Sequence, residues 1–128
     1  MLVIGILAAM ALPTFLGHRE KAADSAAKSN VGTAQTAMHA WATETGAFNA
    51  RPKDLITVEP SLKGAQNLKT GRGTTTFWVQ TTSSSGNVFR ITLSGRGVVK
   101  RDCGQKAVGK KRGMGGCRSS PDGRGNYW

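Results

Sequence analysis

At 128 residues, 38% hydrophobic and with eight aromatics, the chain has room for one modest domain plus an appended element. The formal net charge of +11 excludes an acidic, solvating chain and raises affinity for polyanions such as nucleic acid, acidic envelope polymers or anionic lipid, although solubility alone also accounts for it.

The chain opens on "MLVIGILAAMALPTFLGHREKA", a run without charge until it turns polar near His18. Three readings compete for Met1 to Leu16. A secretory signal peptide would use "AMA" (Ala9–Ala11) for cleavage, yet no basic segment precedes the apolar run. A simple membrane anchor needs about 20 apolar residues, and the run falls short. A buried soluble helix is weakened by Gly5 and Pro13.

After Pro13 the pattern predicts one long helix ending near Gly46. Ala23, Ala27, Val31, Ala34, Met38 and Trp41 recur at spacings of three and four, which puts them on one stripe. Lys21, Asp24, Lys28, Asn30, Gln35, Thr36 and Glu44 are assigned to the other faces. The stripe starts with alanines and grows bulkier, so Val31, Ala34, Met38 and Trp41 are expected to pack under a sheet. His39 falls at the border of the stripe.

Residues 47–73 show no clear period and are read as a packed connection, with "PKDL" able to start a short helical turn. The sheet follows, in residues 74–128. "TTTFWVQTT", "NVFRITL" and "GVVKRDC" are rich in β-branched and aromatic residues, and "SSSGN" and "SGRG" between them have hairpin chemistry. Phe77 and Val79 alternate with Trp78 and Gln80, as Phe89, Ile91 and Leu93 do with Val88, Arg90 and Thr92. One face should cover the helix. The fold class expected is α+β: a long amino-terminal helix (1–46) with a three- to four-stranded antiparallel sheet on its second half.

Cys103 and Cys117 lack metal-ligand spacing, and His18 and His39 are far off in sequence, which argues against zinc. One disulfide of an exported protein is the expected pairing, and two free thiols are the alternative. From Arg90 to Trp128 ten Lys or Arg face two Asp. Arg101, Lys106, Lys110, Lys111, Arg112 and Arg118 lie in or beside the cysteine loop, where they are candidates for binding DNA or anionic surface polymers; a well-solvated loop is the plainer reading. The closing Tyr127 and Trp128 either tuck against the sheet edge or fray.

The stretch "VIGILAAMALPTFLGHREKAADSAAKSNVGTAQTAMHAW" resembles the amino-terminal helix of a type IV pilin, where a run close to "IIGILAAIALP" enters an amphipathic half. Gly5, Ile6, Leu7, Ala8, Ala9, Ala11, Leu12, Pro13 and Phe15 match, as does "KAADSAAKSN". The carboxyl half looks like the meander and terminal disulfide region of pilins from Gram-positive, actinobacterium-like sources.

The resemblance implies a subunit of a helical surface filament. It would be held as a single-pass protein in the cytoplasmic membrane, processed by a prepilin peptidase, and extracted by the pilus assembly machinery to stack on other pilin subunits outside the cell. The part over 1–16 would be the assembly and membrane segment, and 17–46 the amphipathic part. Leu2, Val3, Ile4, Ile6, Leu7, Leu12, Phe15 and Leu16 cover nearly all sides of the helix, which calls for burial in lipid or protein. Gly5, Ala8 and Ala9 let neighbouring backbones approach. Gly5 and Pro13 bracket the stretch expected to loosen on assembly.

Mature chains of the family begin further upstream, behind a cleaved basic leader, with a glutamate that pairs with a neighbour's methylated amine. Neither precedes Leu2, so Met1 is expected to stand at an internal position of the family helix.

The carboxylates Asp24, Glu44, Asp54 and Glu59 show no acid/base pairing, and "GRGT" and "GRGVV" lack the context of a phosphate loop. The chain reads as a non-enzyme without cofactor or metal. A minor pilin or pseudopilin of a DNA-uptake or type II secretion system is the nearest alternative. A secreted basic nucleic-acid-binding protein with a signal peptide is the alternative of another class.

Overall fold

The computed structural model describes residues 2–105 and 112–128, with side chains over 19–104 and 112–128. Helix α1 spans Leu2–Thr45, 44 residues. It stops where the sequence places Gly46, whose φ of 87° suits a residue without Cβ and whose N–H returns to the Ala42 carbonyl at 2.7 Å. Among the described residues, no helix is long and apolar enough to cross a membrane.

The segment 47–73 is more ordered than a connecting loop. It holds helix α2 (Pro52–Val58), a 3-10 turn (Pro60–Gly64) and strand β1 (Lys69–Gly71). Pro52 opens α2, and the Asp54 carboxylate accepts the Arg51 N–H at 2.8 Å, so a local cap starts the turn. One buried leucine anchors each helical piece, Leu55 and Leu62. Elements this short complete no second period, which is why no pattern shows in the sequence.

Strands β2 (Phe77–Thr82), β3 (Asn87–Leu93) and β4 (Val99–Gln105) follow β1 in a four-stranded sheet of order β1-β2-β3-β4, antiparallel throughout. The added strand, β1, pairs Thr70 with Val79 at the edge of the meander. The fold is α+β, with a long helix and a sheet packed on its second half.

The expected alternation holds on the inner face. Phe77, Val79, Phe89, Ile91 and Leu93 are buried with Ala27, Val31, Ala34, Ala37 and Met38 of α1. Alanines on the helix let the strands come close, and the buried Thr81 hydroxyl donates to the Ala27 carbonyl at 3.0 Å. Farther along, Met38 fills the core, and Trp41 is half-buried with its indole N–H on Asn49 Oδ1 at 2.7 Å. His39 is exposed yet meets the rings of Phe48 and Phe77 edge-on, at 5.4 and 5.5 Å between centroids.

On the outer face the Arg90 guanidinium lies 4.0 Å from the Trp78 ring centroid and donates to Gln80 Oε1 at 2.7 Å. Trp78 therefore covers that face as a stacked pair with Arg90.

Met38→Ala should lower stability by about 2–5 kcal/mol, because its fully buried side chain leaves a cavity between α1 and the sheet. Urea denaturation measures this, and a loss below about 1 kcal/mol would contradict the described core.

Candidate functional site

The cysteines form one disulfide, Cys103–Cys117, which ties β4 to the segment after residue 112. Both are buried against the core. The tail then runs back along the outer edge of β4. Asn126 Oδ1 accepts the Arg101 N–H at 2.9 Å, the Tyr127 N–H donates to the Arg101 carbonyl at 2.9 Å, and Trp128 Nε1 donates to the Asp102 carbonyl at 2.9 Å. The Trp128 ring meets Phe89 edge-on at 5.7 Å. The terminal aromatics thus tuck in, and they cover an edge that would otherwise present unpaired backbone groups.

Asp24 departs from the sequence reading, which assigned it to a polar outer face. It is fully buried. Its carboxylate accepts from the Ser85 hydroxyl, from Asn87 Nδ2 at 2.8 Å and from the Gly116 N–H at 2.7 Å. Asn87 Nδ2 also reaches the Met114 carbonyl at 2.8 Å. One side chain of α1 therefore gathers the β2–β3 hairpin and the disulfide-closed segment.

Gly115 permits the approach. Its φ is 58°, and a methyl group there would overlap Asp24 Oδ2. The heptad-like spacing of Asp24, Ala27, Val31, Ala34 and Met38 carried the signal: three back from Ala27 is Asp24, not Ala23. Ala23, which the stripe included, is half-buried.

Burial works against the charge on Asp24. The hydroxyls of Ser83 and Ser85, the Gly116 N–H and the Asn87 amide outweigh it and hold the carboxyl below the usual aspartate range. One turn on, Lys28 Nζ sits 5.6 Å from the Phe89 ring centroid and 6.0 Å from that of Trp128. Burial, reinforced by Arg101 and partly offset by Asp24, pushes the Lys28 ammonium below the usual lysine range.

The six proposed polyanion-binding cations divide. Lys106, Lys110 and Lys111 lie outside the described residues. Arg112 is held within the fold: it pairs with Asp102 at 2.8 Å and lies 3.6 Å from the Tyr127 ring centroid. Arg101 lies 5.3 Å from the Trp128 ring centroid, and exposed Arg118 bonds the Ser120 carbonyl at 3.3 Å. The residues expected from the sequence to form an assembly segment, Leu2 to Leu16, lie on the α1 backbone, with their side chains outside the described set. Among the described residues no group of three or more His, Cys, Asp or Glu could hold a metal ion.

Asp24→Ala should cost roughly 3 kcal/mol, since it leaves charge-assisted donors from Ser85, Asn87 and Gly116 without their acceptor. The folded-state pKa of Asp24 lies below its unfolded value, so its contribution is fully present above the usual aspartate range. It is lost as pH falls through the folded value. Denaturation midpoints of the parent and Asp24→Asn should therefore converge toward low pH; a constant gap across that range would remove Asp24 as the titrating group. Scanned against models of known families, against curated proteins and against solved structures, the chain matches none.

Proposed function

We propose that the chain is a structural, non-catalytic subunit of a surface filament of the type IV pilin kind. The observation that supports this most is how the sheet is distributed along the helix. Core packing from the strands and the Asp24 bonds engage α1 from Asp24 to Trp41. Upstream, the same helix continues through Leu2–Leu16, whose sequence is apolar on nearly all sides. A helix of that composition calls for burial, and neighbouring copies of the same segment would supply it in a filament core.

The disulfide and the edge-covering tail suit a subunit that works outside the cell, where disulfides persist. Other subunits, the cytoplasmic membrane before assembly, a prepilin peptidase and the assembly machinery are the partners this reading carries. The membrane-held stage rests on the sequence of Leu2–Leu16.

Electron microscopy and amino-terminal sequencing of the native protein, sheared from cells, test the proposal. Filaments that contain the chain and carry a methylated terminus are the expected result. Ile6→Arg should abolish them while leaving the thermal midpoint of the sheet-bearing part unchanged. Monomeric protein in the culture fluid with a terminus at Leu12, the product of cleavage after "AMA", would overturn the proposal in favour of a signal peptide.

A further inference from the structure

The strongest feature outside the Asp24 anchor is an open cleft of about 820 Å³ between β4 and the carboxyl-terminal loop, with Gln35 of α1 in its lining. Val98 and Val99 form part of the β4 side, 46% and 39% exposed, followed by Lys100 and Arg101. Arg124 stands on the opposing loop. Lys100 Nζ donates to the Arg124 carbonyl, so the two sides of the cleft are joined. Arg101 is steadied by Trp128, which is itself bonded to Asp102.

Among the described residues no Asp or Glu lines the cleft. Among the described residues the ion pairs are Arg51–Asp54 and Arg112–Asp102, and neither uses a cleft cation. Asp122 spends Oδ1 on the N–H groups of Arg124 and Asn126, at 2.8 and 2.9 Å, and offsets one charge at most. Three cations thus share a concave surface with little counter-charge, in a chain of net charge +11. Clefts lined by one sign of charge focus the field and concentrate the opposite ion.

The geometry points to this cleft as a seat for the phosphodiester backbone of a nucleic acid, bound without regard to base sequence. Arginine forks and a lysine ammonium suit phosphate oxygens. Among the described residues no aromatic side chain lines the cleft to offer a platform for stacking bases, and Trp128 is occupied by Phe89 and Arg101. The contacts it offers are charge and backbone contacts. Lys100 and Arg124 are the principal groups, and neither belongs to the cysteine loop that the sequence singled out. The site does not depend on the filament reading, because it is complete within one subunit.

The test is fluorescence anisotropy of labelled duplex DNA of arbitrary sequence, titrated with the full chain in nonionic detergent over a range of salt. The double variant Lys100→Gln/Arg124→Gln should lower the slope of log K against log salt by about two, equally for unrelated sequences. Lys100→Arg should keep the parent slope. Arg124→Gln alone, which alters only an exposed side chain, should lower it by about one and serves if the double variant unfolds. The control Lys53→Gln/Lys63→Gln removes the same charge from α2 and the 3-10 turn. An unchanged slope in the double variant, or an equal fall in the control, would overturn the site. Equal competition by polyglutamate, or preference for a glycerol-phosphate polymer, would overturn the nucleic-acid assignment.

Discussion

The carboxylate of Asp24 is the point on which the rest of the structure is registered. A buried charge is costly unless donors surround it, and here the donors come from parts of the chain distant in sequence: Ser85 and Asn87 at the β2–β3 hairpin, and the Gly116 N–H beside the disulfide. An apolar contact would tolerate sliding of the sheet along the helix. Hydrogen bonds to a charge do not, because their strength falls steeply with misalignment. The anchor therefore fixes both how far along α1 the sheet sits and which face it covers.

Around that point the packing is graded. Near Asp24 the helix offers alanines, and the strands approach closely enough for Thr81 to bond the Ala27 carbonyl. Toward the other end, Met38 and Trp41 need more room, and Leu55, Leu62 and Phe48 from the intervening segment share in filling it. The short pieces between helix and sheet thus close the wider end of the wedge. The disulfide closes the other side: Cys117 is packed into the core beside the glycine whose N–H meets Asp24.

The positive charge is divided by the fold into two kinds. Arg90 and Arg112 are spent on contacts within the chain, each stacked on an aromatic ring and bonded to an acceptor, so they stabilise the sheet. Lys100 and Arg124 face an open cleft. A count of lysines and arginines treats these alike, whereas a carboxylate or ring nearby decides which remain to attract a polyanion. If the chain packs in a filament through its amino-terminal helix, charge carried on the opposite, sheet-bearing part would be displayed along the surface.

The long helix, its stop at Gly46, the inner face of the meander and the pairing of the two cysteines were legible in the sequence, because each follows from local periodicity or from the chemistry of one residue type. Of the helix at Pro52–Val58 only its start at "PKDL" showed, and strand β1 did not, since elements shorter than two periods leave no pattern and are held by tertiary contacts. Asp24 was misplaced for a related reason. An acidic residue in a helix is ordinarily solvated, and only donors arriving from Ser85, Asn87 and Gly116 make its burial favourable. The cleft cations were likewise invisible: Lys100 and Arg124 lie 24 positions apart, and the return of the tail along β4 brings them together. Sequence alone determined what local patterns specify, namely the elements and their apolar faces. Tertiary structure decided which polar groups are buried together and which charges are left uncompensated, because both depend on neighbours that the chain supplies from afar.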